Sequence, residues 1–297
     1  MNVLTVDVED YFHVEAFAGA IPPNQWEFYE PRVEGNVARI LELLANYNVK
    51  GTFFILGWVA ERFPKLSREI GSAGHEIGCH GFAHRRLQQL TPEQFRSDLR
   101  KATRCIEDQV QHRIRCYRAP SFSIVRSTFW AFDILAEEGF LVDSSVFPVR
   151  HDLYGVPDGQ RFPYLQETAA GNRIFEFPPS TISYGNTNWG VAGGGYLRFL
   201  PYNVTSRALR HINSVERQPG MVYFHPWEID PDQPRVQAAL RSRLRHYTNL
   251  SGMHRKIERL LQNFKFTTLS NACSHYEAYR SLKALPLKAA RTAASGR

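Results

Sequence analysis

The sequence contains no long apolar segment and few cysteines. None of its apolar runs approaches the roughly 18 residues that a membrane-spanning helix requires. Its first residues lack the basic stretch, apolar core and cleavage site of a secretory signal, so we expect a cytoplasmic protein. The four cysteines have no C-x-x-C spacing and suggest no disulfide framework, so we predict reduced, mostly structural thiols. These cysteines are Cys79, Cys105, Cys116 and Cys273.

Acidic residues are missing from the C-terminal end, and this accounts for most of the net charge of +7. Residues 278–297 contain five Lys or Arg and no Asp or Glu, which leaves +2 for the remainder. A basic end rich in Ala, Ser and Gly is more often disordered than a binding device. We therefore predict a disordered tail over 276–297, with peripheral contact to an anionic membrane or export machinery as its possible use. The body lacks the concentrated positive charge of a nucleic-acid surface, so we expect no nucleic-acid partner.

Strand and helix patterns alternate along most of the chain. Helical spacing appears at Val37, Ile40 and Leu44, and Thr91–Gln94 has the residues of a helix start. This alternation predicts an α/β fold, a barrel or sheet with mainly parallel strands, whose sites gather at the carboxyl ends of the strands. Strands are expected near residues 3–8, 51–56, 75–80, 114–118, 140–143, 174–177, 221–224 and 266–269.

The first predicted strand leads directly into a cluster of carboxylates. Side chains two apart in a strand share a face, so Asp7 and Glu9 point to the same side. Asp10 turns toward that face only if the strand ends before it. Neighbouring carboxylates repel one another unless a cation or a positive side chain gathers them. A solvated loop would be the ordinary explanation of such a cluster, but the buried character of the strand favours a site.

Two histidines follow the strand predicted near residues 75–80. On a helical turn, His80 and His84 would project from one side about 6 Å apart, which suits a shared metal ion. This spacing alone is weak evidence, because pairs of surface histidines also produce it. Combined with a carboxylate from the first strand, two imidazoles form a catalytic metal arrangement with open positions for water.

Other polar residues follow later strands. Arg118, next to Ala119–Pro120, is either a surface arginine or a buried one that orients a carboxylate. His225 follows the apolar run 221–224 and would serve as a general acid if it is not merely structural. Asp143 either closes a turn or orients His225.

Aromatic residues and a glycine run suggest contacts with a ligand. Trp189, Tyr196 and Trp227 are candidates for stacking on sugar rings, although core packing explains each about as well. Gly193–Gly195 lacks the Lys-Ser/Thr of a phosphate loop, so we expect a mobile substrate loop there.

In chain order, the motifs are the acidic cluster after the first strand, the pair His80 and His84, Arg118 with the following Ala119–Pro120, Asp143, and His225. Together they resemble the polysaccharide deacetylases of the NodB-homology type, which are also carbohydrate esterases of family 4. The resemblance extends from Val3 to about Trp227. Val6–His13 and Phe224–Asp230 are similar to the branch associated with exopolysaccharide and exosortase (PEP-CTERM) loci. That branch carries a C-terminal extension, which residues 228–270 resemble.

The resemblance implies a distorted (β/α) barrel and metal-dependent hydrolysis of an N-acetyl group on a polysaccharide or oligosaccharide. It implies a deacetylase barrel over 1–227 and an extension over 228–275 packed on it. The implied cofactor is a divalent ion, zinc by preference, with cobalt, nickel or manganese as alternatives. Two rival interpretations are a hydrolase of small amides, formamides or imides, and a non-catalytic sugar-binding component of an export machine.

The resemblance also implies roles for residues that do not bind metal. Asp7 matches the catalytic base, and Arg118 matches the arginine that orients it. The backbone N–H of Ser121 would help to hold the oxyanion. Asp143 and His225 match the pair that supplies the general acid.

The metal ligands implied by the resemblance match this chain less directly. His80 and His84 match two of them. The common family motif has two adjacent aspartates, base then ligand, whereas in this chain a valine follows the first acid. The shared strand face favours Glu9 as the third ligand, and Asp10 is the alternative.

Overall fold

The computed structural model describes residues 1–168, 170–276 and 280–281 of this chain. Its strands are β1 (Asn2–Val8), β2 (Thr52–Ile55), β3 (Glu76–Cys79), β4 (Cys116–Tyr117), β5 (Val142–Asp143), β6 (Tyr164–Glu167), β7 (Arg173–Glu176), β8 (Thr181–Tyr184), β9 (Thr187–Gly190), β10 (Met221–Phe224) and β11 (Phe266–Thr267). Its α-helices are α1 (Val33–Asn46), α2 (Gly57–Arg62), α3 (Pro64–Ser72), α4 (Pro92–Val110), α5 (Ala131–Glu137), α6 (Gly194–Phe199), α7 (Tyr202–Ser214), α8 (Leu240–Tyr247), α9 (Met253–Asn263) and α10 (Leu269–Cys273). In this part of the chain, no helix combines the length and apolar character needed to span a bilayer. Most of the tail predicted to be disordered lies outside the described residues.

Most strands belong to a single curled sheet. Its order is β10-β1-β2-β3-β4-β5-β7-β6, and β11 pairs with the start of β1. Neighbouring strands are parallel except for β6, which runs antiparallel to β7. β8 and β9 form a separate antiparallel hairpin. The sheet is a half-barrel with helices packed on it, which confirms the predicted α/β fold with mainly parallel strands.

The first strand is buried on both faces. Leu4, Val6 and Val8 pack in the larger hydrophobic core with α1, whereas Val3 packs with Phe54 and other residues of the smaller core. Burial of a Val or Leu side chain contributes about 1.5–3 kcal/mol. Thr5 and Asp7 alternate with Leu4, Val6 and Val8, so these two polar side chains lie on the other face of the strand. A core strand therefore fixes the position of the first catalytic candidate.

Two helix starts follow the predicted local rules. Thr91 caps α4: its hydroxyl accepts the backbone N–H of Gln94, and the Gln94 side chain accepts the N–H of Thr91. Pro64 occupies the first position of α3, where the missing N–H costs no helical hydrogen bond. Pro64 therefore begins a separate helix shortly after α2 ends at Arg62.

The glycine run 193–195 is not a loop, and the prediction of a mobile substrate loop there is wrong. Gly193 is the N-cap of α6, and Gly194 and Gly195 are its first two residues; Gly194 has a φ of +47°. A Cβ on Gly193 would lie 1.8 Å from the ring of Tyr223. Glycine is required here because the backbone lies directly against that aromatic ring.

Candidate active site

The register of the parallel strands brings the candidate residues together. Pairing of β1 with β10 places Asp7 beside His225. Pairing of β3 with β4 places His80 beside Arg118. Glu9 follows β1 by one residue, so the polar side chains meet at one edge of the sheet.

Glu9, His80 and His84 form a cluster with the spacing of a metal site. One ligand atom from each lies within 4.8 Å of the other two. Glu9 Oε2 is 2.7 Å from His84 Nε2, yet this buried oxygen has no donor with hydrogen-bond geometry. His80 Nδ1 donates to the carbonyl of Arg118 at 2.9 Å, so its Nε2 keeps a free lone pair. Buried lone pairs that face one another in this way suit a shared cation.

The protonation states of this cluster also suit a cation. Burial alone would raise the pKa of Glu9, but the imidazoles of His84 and His225 lower it well below its usual range. Burial lowers the pKa of His80 to about 4. At neutral pH, Glu9 is therefore a carboxylate and His80 a neutral imidazole, as metal ligands must be.

The local geometry of the two histidines differs from the prediction. They lie in a loop after β3 rather than on a helical turn, and His84 has a φ of +50°. Their ring centroids are 5.5 Å apart, so the expected proximity holds although the expected helix does not.

The structure places Asp10 apart from the cluster. Its carboxylate accepts the backbone N–H groups of Tyr11 at 2.9 Å, Arg32 at 2.6 Å and Val33 at 2.9 Å. The last two belong to the start of α1, whose first N–H groups have no partners within the helix. Burial raises the pKa of Asp10 to about 6, against the lowering effect of these donors. Glu9 rather than Asp10 belongs to the cluster that could hold a metal ion, because the chain turns away from the cluster after Glu9.

Asp7 is bound to a completely buried arginine. Arg118 Nη1 donates to Asp7 Oδ1 and to Thr5 Oγ1, each at 2.7 Å. Nε donates to the carbonyl of Ser144 at 3.1 Å, and Nη2 donates to its hydroxyl at 2.9 Å. Fixed acceptors around the guanidinium hold it in one orientation, so the position of Asp7 is also fixed.

Asp143 does not pair with His225, and that part of the prediction is wrong. Its oxygens accept the backbone N–H of Ser145 at 3.0 Å and the Ser145 hydroxyl at 2.6 Å. The same hydroxyl accepts the N–H of Ala119 at 2.7 Å. Burial raises the pKa of Asp143, and burial together with the nearby charge of Asp143 raises the pKa of Glu176. Asp143 therefore fixes the loop after β4.

His225 pairs instead with Glu228, which the sequence reasoning missed. Its Nδ1 is 2.9 Å from Glu228 Oε2, whereas Nε2 is 3.9 Å from Asp7 Oδ2 and 3.5 Å from Glu9 Oε1. Burial lowers the pKa of His225, but the carboxylates of Glu228 and Glu9 together raise it to about 9. The imidazole is thus protonated at neutral pH. The signal that could have found Glu228 is its position three residues after His225 in a Pro-containing turn, a capping pattern.

The site opens through two connected cavities. The inner one, about 130 Å³, is lined by Asp7, Glu9, His80 and His84. It shares several lining residues, among them Ser121, with an outer cavity of about 300 Å³. Ser121 has a φ of +54°, a conformation that costs energy for a residue with a side chain and is frequent at functional sites.

The three predicted sugar-stacking residues have different surroundings. Tyr196 lines the outer cavity. Trp227 lines both cavities, but its ring lies between His225 (centroids 5.3 Å apart) and His246 (4.2 Å apart), each nearly parallel to it. Both faces are occupied, so Trp227 offers no platform for a sugar. Trp189 is 58% exposed on β9 and lines neither cavity.

Two family models match this chain. Residues 28–134 match the family described as polysaccharide deacetylase, and residues 144–274 match a domain of unknown function (DUF3473). Strand β1, with Asp7, precedes the first match. Strands β10 and β11 lie in the second match and pair with β1, so both matched regions contribute to one sheet.

Relatives agree with these matches. The peptidoglycan-N-acetylglucosamine deacetylase of Bacillus cereus is 30% identical over 105 residues, which cover 35% of this chain and 37% of that protein. A peptidoglycan deacetylase-like protein of Gibberella zeae is 26% identical over 202 residues, covering 66% of this chain and 59% of that protein. This chain thus spans less than two thirds of the length of either relative.

A solved structure from Mycobacterium smegmatis, of a protein assigned to the polysaccharide deacetylases, has the same fold. Its TM-score is 0.61 at 22% identity, over 96% of this chain and 91% of that chain. The half-barrel is therefore of the deacetylase type, with its polar cluster at the carboxyl ends of the strands. Residues 28–134 belong to the polysaccharide deacetylase family, of NodB homology, and are followed by the domain of unknown function. The predicted resemblance to the deacetylases of NodB homology is confirmed.

Proposed function

We propose that this protein is a metal-dependent hydrolase that removes N-acetyl groups from amino sugars of a polysaccharide. The observation that carries the proposal is the convergence, in one cavity, of a Glu–His–His cluster, an arginine-bound aspartate and a histidine with a raised pKa. These are the groups that amide hydrolysis needs: a cation site, a base and an acid.

The residues present fit a divalent cation. Glu9, His80 and His84 would hold it, because two neutral imidazoles and one carboxylate form a donor set that suits zinc. The buried Glu9 Oε2 without a hydrogen-bond donor is the specific feature that a cation would satisfy. A bound divalent ion supplies polarisation of the amide carbonyl and lowers the pKa of a nearby water.

The protein's own groups carry the proton transfers. Asp7 accepts a proton from the attacking water as the new C–O bond forms at the acetyl carbon, and Arg118 keeps Asp7 in place throughout. Ser121 lines the cavity in a left-handed turn, and its backbone N–H would receive the negative charge of the carbonyl oxygen. His225 then donates its Nε2 proton to the nitrogen as the C–N bond breaks, so the products are acetate and a free amine.

The substrate class follows from the shape of the site and from the family. An outer cavity lined by Tyr154, Tyr196 and Phe199 provides aromatic surface for sugar rings next to the catalytic groups. Together with the sequence similarity to the exopolysaccharide-locus branch, this supports an N-acetylated exopolysaccharide or its precursor as substrate.

A peripheral membrane contact is a second part of the proposal. Helix α8 exposes Leu240 (69%) and Leu244 (60%), flanked by the exposed Arg241, Arg243 and Arg245. Arg245 also lines the outer cavity. Apolar and basic side chains on one short helix suit an anionic lipid surface. Co-sedimentation with phosphatidylglycerol vesicles, lost in Leu240→Ser/Leu244→Ser, would support this contact, and equal binding by both proteins would refute it.

Acetate release tests the main proposal directly. The purified protein, supplied with zinc, is incubated with N-acetylated oligosaccharides of several sugars and with a panel of small amides, formamides and imides. The proposal predicts acetate from at least one oligosaccharide class. Activity confined to the small amides would overturn it in favour of a small-molecule hydrolase.

A further inference from the structure

We infer that Glu228 and Arg198 are positioning residues of the proposed general acid, and that they couple His225 to helix α8. This inference rests on the proposed function, since His225 is the acid of that reaction. The geometry that supports it extends outward from the imidazole in three steps.

The first step is the turn that contains both residues of the pair. Glu228 Oε2 accepts two donors from His225, its backbone N–H and its Nδ1–H, each at 2.9 Å. The backbone N–H of Glu228 donates to the carbonyl of His225 at 3.0 Å. A carboxylate only accepts hydrogen bonds, so Nδ1 carries a proton. The ring is therefore held with Nε2 toward Asp7 and Glu9.

The second step is the residue that holds the carboxylate. Arg198 Nε donates to Glu228 Oε1 at 2.5 Å, and the two side chains are 4% and 0% exposed. Oε1 of Glu228 therefore accepts a hydrogen bond from Arg198, whereas Oε2 accepts hydrogen bonds from His225. A buried carboxylate bound on both oxygens cannot rotate without breaking charge-assisted hydrogen bonds.

The third step is the anchor of the arginine. Arg198 Nη1 donates to the carbonyls of Arg245 at 3.0 Å, His246 at 2.6 Å and Thr248 at 3.2 Å. These carbonyls lie at the C-terminal end of α8, where helical carbonyls have no partner in the helix. The end of α8 therefore fixes the proton donor through two buried side chains.

A double-variant experiment separates positioning from general stability. Glu228→Gln keeps the size of the side chain but removes the carboxylate. In the wild-type background, we expect kcat to fall roughly 10²-fold with KM changed less than about threefold, because orientation of the acid is lost. In the His225→Ala background, the same change should lower kcat no further. A further loss of similar size in that background would overturn the inference.

Asp143→Asn provides the matched control. It is the same carboxyl-to-amide change at another fully buried acid, which does not contact His225. Its effect on kcat should be the same with and without His225. Because Glu228→Gln leaves Arg198 buried without its anion, Arg198→Gln/Glu228→Gln is the alternative that removes both charges. The expected non-additivity with His225→Ala is the same.

A second readout does not depend on activity. The proton NMR spectrum of the wild type should contain a downfield, slowly exchanging Nδ1–H signal that is absent from His225→Ala. Loss of this signal in the folded Arg198→Gln/Glu228→Gln variant supports the inference, and its persistence overturns it. If the wild type released no acetate from any substrate, the proposed function would fail, while this signal would still test the geometry.

Discussion

The metal-ligand side and the proton-donor side of the candidate site are built in different ways. Glu9 and His80 follow strands separated only by β2 in the sheet, and backbone register is enough to bring them together. His225 also follows a strand, but its orientation depends on Glu228 and on Arg198, which is anchored by the end of a distant helix. The metal-ligand side depends on the pairing of neighbouring strands, whereas the proton-donor side depends on packing between residues far apart in sequence. Under the proposed mechanism, residues of the second matched region, 144–274, would therefore take part in the chemistry.

The largest expected effect lies where the two sides meet, at Asp7. Asp7→Asn keeps the hydrogen bond to Arg118 but removes the base, so turnover should fall at least about 10³-fold. Zinc content should be unchanged, because Asp7 is outside the Glu9, His80 and His84 cluster. Acetate release and metal analysis of the same preparation check this prediction. Undiminished turnover would remove Asp7 as the base.

A smaller effect, on KM, is expected from substituting aromatic residues within residues 144–274. Tyr196 lines the outer cavity and Trp189 does not, so Tyr196→Ala should raise KM about tenfold while Trp189→Ala should leave it unchanged. Steady-state kinetics on the best oligosaccharide provide the test. An equal rise in KM for both variants would show that the substrate extends beyond the cavity onto the β8–β9 hairpin.

The smallest effect concerns stability rather than catalysis. His75 is buried before β3, its Nδ1 accepts the N–H of Gly51, and burial lowers its pKa to about 4. The pKa of His75 is lower in the folded state than in the unfolded state, so its neutral imidazole stabilises the folded state above pH 6.5. This contribution to the free energy of unfolding is lost as the pH falls toward 4. Between pH 6.5 and pH 5, the free energy of unfolding of the wild type should fall by on the order of 1 kcal/mol more than that of His75→Asn. Urea unfolding at both pH values measures this difference. Identical losses would contradict the assignment.

Several features of the metal-ligand side could be predicted from sequence because they depend on short-range rules. Strand alternation places Asp7 and Glu9 on one face, and the structure has Glu9 in the cluster while Asp10 caps α1. The spacing of His80 and His84 indicated proximity but not the loop that produces it, since a left-handed residue such as His84 has no clear sequence signal.

The proton-donor side was predicted less well because its contacts are long-range. The family resemblance implied Asp143 as the partner of His225, but Asp143 is held by Ser145 instead. The burial of Trp227 between two imidazoles depends on His246, nineteen positions away, and no local pattern reveals it. Glu228 had a local signal in the capping pattern, whereas Arg198 had none.

Metal content is the most direct test of the central claim. Wild-type protein is compared with His80→Ala/His84→Ala and with a control that changes two exposed histidines, His112→Ala/His211→Ala. We predict about one equivalent of divalent ion in the wild type and the control and none in the first variant, with unchanged circular dichroism. No ion in the wild type after soaking with zinc, or equal content in all three proteins, would contradict the claim that these residues form a metal site.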